Sequence, residues 1–232
     1  MGIDELLDAT SDYLHSLEVS PTMRFNQYFA DISSVQPEYN AQMYANAGHL
    51  LIAIKSTEGL GYVNPYHRGQ ALHSGLEHVA VAHYHYARPD LGNNPEDECK
   101  FFLTNTAYLL GPYDYVILDI ERATPQGWSH DPAWSFQWDE YLRAHSRFKA
   151  ILYASRSTLE QYDTWLIGDP RRVHDADWSA TPDYAPPGYT CVFRQYTDGI
   201  VGPEPHRYAG IGQCDGNRMD TSIFNHLLGY RC

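Results

Sequence analysis

The chain has 232 residues, 43% of them hydrophobic and 14% aromatic, which favours a folded domain with a sizeable core and excludes a disordered or fibrous chain. The formal net charge of −13, with no basic stripe in the sequence, argues against a polyanionic nucleic-acid partner, so we expect no nucleic-acid binding. We also expect neither membrane insertion nor an export signal, since no long apolar run occurs and the first ten residues carry acids.

The chain begins with a predicted helix over residues 3–17, which ends before Ser20 and Pro21. We interpret residues 1–24 as a helical extension or linker and residues 25–232 as a single barrel domain. Such an extension suggests a link to another module.

Apolar segments of strand length then alternate with helical segments. The helices are predicted over residues 66–77, 95–110 and 131–146. This alternation is typical of a parallel sheet with crossover helices. The predicted strands of this part are YFADI, LLIAIKS, VAVAHYHYA, YDYVILDIE and FKAILYAS.

After about residue 165 the pattern changes, because Pro- and Gly-rich loops separate the remaining strands and long helices are not expected. The strands predicted here are RRVHDADW, TCVFRQYT and RMDTSIF. Eight strands can close a barrel filled by side chains. We therefore predict an α/β fold, a distorted TIM-like (β/α)5(β)3 barrel.

Two acids, Asp119 and Glu121, end the apolar strand YVILDIE. Because they are two residues apart on a strand, both side chains leave the same face, which is the interior of a closed barrel. Active sites of such barrels lie at the carboxyl ends of the strands. A salt-bridged structural pair is the alternative interpretation.

Two further acids are candidates for the same mouth. Asp31 ends the first strand, although it could equally cap a turn, and Asp220 lies on the predicted last strand. Because closure brings the last strand beside the first, we expect Asp31 and Asp220 to be neighbours. Four converging carboxylates raise the pKa of at least one of them, and a general acid needs such a raised pKa.

Five aromatic residues lie near predicted strand ends or loops, and each alone could be a core residue. As a group they suit the apolar faces of sugar rings, and they are our predicted substrate-binding residues. They are Tyr62, Tyr86, Tyr153, Trp178 and Tyr196.

His83 and His85 alternate on a strand with a spacing that metal ligands use. No third ligand is obvious nearby, so we predict no metal and no other cofactor. The cysteines are too few and too scattered for a disulfide scaffold, so reduced thiols are favoured over a Cys191–Cys214 bridge.

Several segments together resemble glycoside hydrolase family 25, the lysozymes of bacteria, fungi and phage endolysins. They occur in family order over about residues 28–225. The matching segments are FADISSVQ, AIKSTEGLGYVNP, AHYHYARP, VILDIE, AILYAS, RQYTDG and MDTSIFN.

The resemblance implies a muramidase that cleaves bacterial peptidoglycan, with Glu121 as acid/base and Asp119 as its companion. It implies that Asp31 and Asp220 complete the acids of the cleft and that Tyr86 lines it. Lys55 and Glu58 also match the family, and we interpret them as structural residues that hold a loop. We expect a monomer that acts on the cell wall, either as a holin-released phage endolysin or as a fragment of a secreted lysin.

The chain departs from the family pattern in its second half. Arg194 stands where the family usually has Trp before QYT, and the region of His174 and Trp178 lacks the customary Trp and Tyr. Thr221 and Ser222 replace the common Leu and Asn. These changes affect the expected contacts with substrate more than the core reaction.

Three other functions are weighed against the muramidase. A chitinase-like barrel would have an acid where Ile117 stands. A metal-dependent wall amidohydrolase would use His83 and His85. A non-catalytic wall-binding module would not need Glu121.

Overall fold

The computed structural model describes residues 27–121, 132–160, 171–179 and 183–231. The predicted helix over residues 3–17 and the proposed extension over residues 1–24 lie outside the described residues.

The described strands form a closed barrel. Starting from β1, the barrel order is β1, β11, β8, β7, β6, β5, β4 and β2, and β1 also pairs with β2, which closes the ring. The short β3 extends from β2, and β9 and β10 form a separate hairpin. The strands are β1 (Tyr28–Ile32), β2 (Leu51–Glu58), β3 (Tyr62–Val63), β4 (Ala80–Tyr86), β5 (Tyr115–Asp119), β6 (Ala150–Ser155), β7 (Arg171–Ala176), β8 (Tyr189–Thr197), β9 (Arg207–Tyr208), β10 (Gly212–Gln213) and β11 (Asp215–Met219).

Helices cover the outside of the first half of the barrel, as the sequence predicts. The second of the long predicted helices begins at Pro95, whose missing N–H suits a first helical position, after Asn94 caps the backbone N–H groups of Glu96 and Asp97. The helices are α1 (Ala41–Asn46), α2 (His67–Leu76), α3 (Pro95–Thr106), α4 (Pro132–His145), α5 (Arg156–Leu159) and α6 (Thr221–Arg231), with short 3₁₀ turns at Pro89–Leu91 and Ala107–Leu109.

The fold prediction of a helix-wrapped eight-strand barrel is confirmed, with two corrections near the carboxyl terminus. The last strand is β11, so the segment TSIF begins α6 and does not continue a strand. The expectation of no long helix there is wrong, because Ile223 and Leu227 recur at helical spacing and pack into the core.

The barrel wall divides the core into an interior and an outer layer. Phe29, Ile117 and Phe193 are buried inside the barrel, whereas Phe102 and Trp138 pack between the wall and α3 and α4. Because side chains alternate along each strand, one residue in two faces the interior. This alternation decides which residues can reach the mouth.

Cys99, Cys191 and Cys214 carry free thiols, so the described part of the chain has no Cys191–Cys214 bridge. Burial raises the pKa of Cys191 and of Cys214 to about 12, which keeps both thiols protonated. No helix within the described ranges has the length and apolar character needed to cross a bilayer.

Candidate active site

Four carboxylates line one pocket at the barrel mouth. Asp31 lies near the end of β1, Asp119 ends β5 with Glu121 two residues further on, and Asp215 begins β11. The pocket has a volume of about 150 Å³. The sequence therefore predicts three of the four acids correctly as neighbours, and the fourth is a different residue.

The expectation that Asp220 is the neighbour of Asp31 is wrong. β11 runs antiparallel to β1 and pairs Asp31 with Asp215, so the start of β11, not its end, lies at the mouth. Asp220 is exposed at the opposite end of the barrel, where its Oδ1 accepts hydrogen bonds from the backbone N–H and the hydroxyl of Ser222 at the start of α6. The hydrogen bonds from Ser222 hold the pKa of Asp220 below its ordinary value.

The pocket raises the pKa of three of its acids. Burial, and then the charges of Glu121 and Asp31, hold the pKa of Asp119 well above its ordinary value. Burial, and then the charges of Asp215 and Glu121, do the same for Asp31. Burial and the charge of Glu121 raise the pKa of Asp215 to about 6. The cluster therefore binds protons more readily than separate carboxylates would, as the sequence predicts for converging acids.

Among the described lining residues of this pocket, Lys55 is the cation. Its ammonium lies 2.7 Å from Glu58 Oε2, and Glu58 Oε1 accepts a hydrogen bond from Arg88 at 2.9 Å. The predicted loop-holding role of Lys55 and Glu58 agrees with these contacts. Lys55 also lines the pocket, and its charge opposes the rise in the pKa of Asp31 and Asp119.

A hydrogen-bond network holds Glu121 at the rim. Glu121 is solvent-exposed, and its Oε1 lies 2.8 Å from the hydroxyl oxygen of Tyr153, which is itself buried. The same hydroxyl lies 3.0 Å from Gln195 Oε1, and Gln195 Nε2 donates to Asp215 Oδ2 at 3.2 Å. Sequence reasoning missed Gln195 and Asp215, although both alternate with outward-facing residues of their strands.

The tyrosines of β4, not its histidines, face the interior. Tyr84 and Tyr86 line the pocket, and the interaction of the Tyr84 hydroxyl with Asp31 opposes the rise in the pKa of that carboxyl group. His83 faces outward and contacts His67 Nε2 at 2.8 Å and Asp114 Oδ2 at 3.3 Å. His85 also faces outward.

The outward histidines have polar partners on the helical layer. The ring nitrogens of His85 lie 2.8 Å from Thr57 Oγ1 and 2.7 Å from Glu98 Oε2, and both histidines are fully buried. Within the described ranges no group of three His, Cys, Asp or Glu side chains could hold a metal ion. The alternating histidines His83 and His85 are therefore explained by their polar contacts on the outer face of the barrel.

The five predicted aromatic contacts have different positions. Tyr86 and Tyr153 line the pocket. Trp178 is exposed at its edge, where its indole N–H donates to Gln195 Oε1 at 3.2 Å. Tyr62 is half-buried near the rim, with its hydroxyl donating to Ser34 Oγ at 2.9 Å and its ring 5.5 Å from the Lys55 ammonium.

The prediction for Tyr196 is wrong, because it follows the inward-facing Gln195 and so points out of the barrel. Its ring is buried, and its hydroxyl donates to Pro205 O and lies 2.9 Å from the Tyr208 hydroxyl. Period-two alternation therefore places Tyr196 outside the cleft.

The departure at Arg194 has a structural explanation. The guanidinium is buried outside the barrel wall and donates to the backbone carbonyls of Asp177 and Ser179 on either side of Trp178. It also donates to Asp183 Oδ1 at 3.1 Å. Arg194 thus fixes the loop that presents Trp178 at the pocket edge.

His174 lines the pocket as a neutral group. It is fully buried, with Nε2 2.7 Å from Asn217 Oδ1, and burial lowers its pKa to about 3 despite this hydrogen bond. His174 is therefore not available as a general acid near neutral pH, which leaves the carboxyl groups as the proton donors of the site.

We expect Asp215→Asn to stabilise the protein at pH 8. The pKa of Asp215 is about 6 in the folded state against an ordinary value of 3.8, so folding favours the protonated form and stability falls as pH rises from about 4 to about 6. The amide removes this penalty, and the gain in the free energy of unfolding is about 1 to 2 kcal/mol once partial exposure is allowed for. Urea unfolding at pH 8 and at pH 3.5 measures it.

The matched control for this prediction is Asp220→Asn, since Asp220 is exposed and its pKa is lowered. The gain of Asp215→Asn should vanish at pH 3.5, and Asp220→Asn should show no gain at pH 8. Equal stability of Asp215→Asn and the parent at pH 8 would contradict the electrostatic description of the pocket.

Comparison with known proteins identifies a matching sequence family and several solved structures of similar fold. The sequence model described as "Glycosyl hydrolases family 25" matches residues 30–204. The search of curated proteins found no match.

Three solved structures illustrate the similarity in fold. A bacterial lysozyme from Streptomyces coelicolor has a TM-score of 0.70 at 20% identity, over 86% of this chain and 94% of that chain. A family GH25 lysozyme from Aspergillus fumigatus has a TM-score of 0.69 at 20% identity, over 86% of this chain and 97% of that chain. The catalytic domain of endolysin ply40 from bacteriophage P40 of Listeria monocytogenes has a TM-score of 0.67 at 20% identity, over 87% of this chain and 97% of that chain.

Proposed function

The chain belongs to glycosyl hydrolase family 25, and on that basis we propose that it is a lysozyme that hydrolyses the β-1,4 bond between N-acetylmuramic acid and N-acetylglucosamine in bacterial peptidoglycan. The observation that carries this proposal is the convergence of Asp31, Asp119, Glu121 and Asp215 on one pocket. Glycosidases work with such carboxyl groups, one of which protonates the leaving oxygen.

Glu121 is the proposed proton donor. It is exposed at the rim, where a glycosidic oxygen can reach it, whereas Asp119 lies below it with only 7% of its surface exposed. The hydrogen bond with Tyr153 fixes its carboxyl group. Proton transfer to the leaving oxygen as the C–O bond breaks avoids release of an alkoxide, and it leaves Glu121 ionised.

Asp119 is the proposed companion carboxyl group. Its Oδ1 is buried and has no hydrogen-bond partner among the described residues. A buried acceptor of this kind costs free energy unless a ligand satisfies it. We assign this oxygen to the acetamido N–H of the sugar, which orients the acetamido group and steadies the positive charge that develops on the sugar.

The other two acids and the aromatic rim complete the proposed cleft. Asp31 and Asp215 add carboxyl groups to the pocket, and the negative charge that they carry when ionised favours a developing oxocarbenium ion. Tyr86 and Trp178 offer ring faces to sugar C–H groups at the mouth. Asp215 takes the position in the cleft that the sequence assigned to Asp220.

The proposed bond specificity is tested on purified peptidoglycan. The digest is reduced with borohydride, and the new end groups are identified by mass spectrometry. Cleavage as proposed yields reduced N-acetylmuramic acid ends. Reduced N-acetylglucosamine ends would make the enzyme a glucosaminidase, and an unchanged glycan with cleaved peptides would make it an amidase.

The alternative functions are less well supported by the structure. The buried Ile117 lies in the pocket where a chitinase-like arrangement would need an acid. The amidohydrolase alternative needs His83 and His85 in the pocket, and both face the helical layer. A wall-binding module would not need a pocket that raises the pKa of three acids.

Chelation should leave the rate unchanged. The proposed proton transfer uses carboxyl groups, and His83 and His85 are held by Asp114 and Glu98 on the outer face. Wall lysis is measured with and without EDTA after dialysis. A large loss that Zn²⁺ restores would favour the amidohydrolase alternative.

The enzyme acts on the bacterial cell wall. We propose in addition that it works as a monomer, that it can be one module of a longer lysin, and that it reaches the wall through a holin, as a phage endolysin would. The similarity to the endolysin catalytic domain supports the last two points. Light scattering tests the first.

A further inference from the structure

The hydroxyl group of Tyr153 lies between two acceptors but has one proton to donate. Its oxygen is 2.8 Å from Glu121 Oε1 and 3.0 Å from Gln195 Oε1. Burial, and then the charge of Glu121, hold the pKa of Tyr153 well above its ordinary value, so the hydroxyl keeps its proton. It can therefore donate to only one of the two oxygens at a time.

The protonation state of Glu121 decides which acceptor is used. An ionised Glu121 only accepts, so Tyr153 donates to it. A protonated Glu121 is itself a donor, so Tyr153 accepts from Glu121 and donates to Gln195. We propose that Gln195 is a positioning residue that acts through Tyr153 to hold Glu121 in its protonated form, an inference that rests on the proposed role of Glu121 as proton donor.

Gln195 is fixed in the orientation that this role requires. Its side chain is buried, and its amide nitrogen donates to Asp215 Oδ2 at 3.2 Å. The indole N–H of Trp178 donates to Gln195 Oε1 at 3.2 Å. Both contacts turn the carbonyl oxygen toward Tyr153, and a carbonyl has a second lone pair for the Tyr153 hydroxyl.

Other groups around Glu121 also influence its proton. The charged groups Asp31, Asp119, Asp215 and Lys55 line the same pocket. Tyr84, Tyr86 and the neutral His174 also line the pocket. The test therefore needs variants that leave all of these groups in place and change the Tyr153 hydrogen bonds.

Two substitutions should shift the pH dependence of kcat/KM in opposite directions. Gln195→Met removes the acceptor that serves protonated Glu121, so the alkaline limb should move to lower pH by roughly one unit. Tyr153→Phe removes the donor that serves ionised Glu121, so the alkaline limb should move to higher pH. Tyr196→Phe is the matched control, because it removes a buried hydroxyl from the outward-facing neighbour of Gln195, outside the cleft, and should leave the limb in place.

A purely structural role would not produce shifts of opposite sign. Limbs that move together, or that stay where they are, would overturn the proposal, provided that thermal unfolding shows both variants to be folded. Glu121→Gln is measured alongside. If Glu121→Gln is inactive and the limbs of the other two variants do not move, only the role of Gln195 is rejected. If Glu121→Gln retains activity, both the proposed proton donor and this inference are rejected.

An independent observation concerns the opposite end of the barrel. A groove of about 810 Å³ lies there, between the first residues of β5 to β8, the end of α4 and the start of α6. Its basic side chains are Arg143, Arg147, Lys149, Arg172 and His226. This concentration of positive charge stands out in a chain with a net charge of −13.

The described lining of this groove has one acidic residue against these five basic side chains. Asp114 is its acidic lining residue, and its carboxylate accepts the backbone N–H groups of Val81 at 2.8 Å and Gly111 at 2.6 Å. Arg143 is paired with Asp139, and the side chains of Arg147, Lys149 and Arg172 are solvent-exposed. Tyr113 and Phe148 add aromatic surface.

We infer that this groove binds anionic groups of a linear cell-wall polymer and so holds the enzyme on the wall independently of the pocket. The groups are the carboxylates of peptidoglycan itself, which present anionic oxygens to guanidinium and ammonium groups. The proposed wall substrate makes such polymers available to the enzyme.

The test compares two triple variants of equal charge. Arg147, Lys149 and Arg172 are replaced by Gln in one, and the exposed Arg68, Lys100 and Arg207, which lie outside the groove, in the other. Binding to soluble poly(glycerol phosphate) and to purified walls stripped of phosphodiester polymers is measured at low salt, in a Glu121→Gln background. The groove variant should bind at least about fivefold more weakly than the control.

The two ligands distinguish the sources. Weaker binding of the groove variant to stripped walls supports the proposal, whereas weaker binding only to the soluble polymer would overturn it in favour of phosphodiesters. Equal weakening in both triple variants would overturn the proposal, because it would show a response to net charge alone. Binding does not require cleavage, so this result is independent of whether the proposed hydrolysis occurs.

Discussion

Glu121→Gln should lower the rate of peptidoglycan hydrolysis by roughly 10³-fold. The amide keeps the size of the carboxyl group and can keep a hydrogen bond with Tyr153, but it has no proton to donate to the leaving oxygen. The fold and wall binding should be unchanged, because Glu121 is exposed at the rim and supports no packing. Release of reducing ends from purified walls measures the rate.

Asp220→Asn is the control for this variant, since it changes an acid at the opposite end of the barrel. It should keep activity close to that of the parent enzyme, because the amide can still accept the N–H of Ser222. Lysis by Glu121→Gln at the parent rate would remove Glu121 from the mechanism.

Asp119→Asn should lower kcat by about 10²-fold and change KM less. The buried Oδ1 of Asp119 is assigned to the acetamido group, and an amide cannot supply the negative charge that the transition state requires. Loss of this charge also removes a repulsion that keeps a proton on the cluster. The alkaline limb of the kcat profile should therefore move to lower pH.

The pH profile distinguishes this electrostatic role from simple damage to the site. A variant with a disturbed pocket would lose activity without a shift of the limb. A kcat within a factor of three of the parent, at every pH, would contradict the assignment of Asp119.

Much of this site follows from the alternation of side chains along strands. Asp119 and Glu121 are two residues apart at the end of an apolar strand, which is sufficient to predict a shared face and a place at the mouth. Asp31 follows from the same rule on β1. These residues required no tertiary information beyond barrel closure.

The fourth acid could not be assigned in the same way, because its position depends on strand direction. Met219, Thr221 and Ile223 alternate as a strand would, but Asp220 caps α6 and ends this pattern. Since β11 is antiparallel to its neighbours, its first residue lies at the mouth. The available signal was Asp220 itself, because Asp is a preferred residue directly before the first turn of a helix.

The face of β4 was equally ambiguous from the sequence. His83 and His85 alternate with Tyr84 and Tyr86, and either pair could face inward. The histidines face outward because Asp114 and, on α3, Glu98 provide polar partners, and these contacts are distant along the chain. Periodicity therefore identifies the two faces of a strand but not which of them is inside.

The most direct test of Glu121 as proton donor uses two substrates with different leaving groups. Glu121→Ala is assayed on an unactivated glycan and on an aryl glycoside of the same glycan whose leaving group departs without protonation. We predict a loss of roughly 10³-fold on the first and less than about tenfold on the second. Equal losses on both substrates would contradict the central claim that this carboxyl group donates the proton.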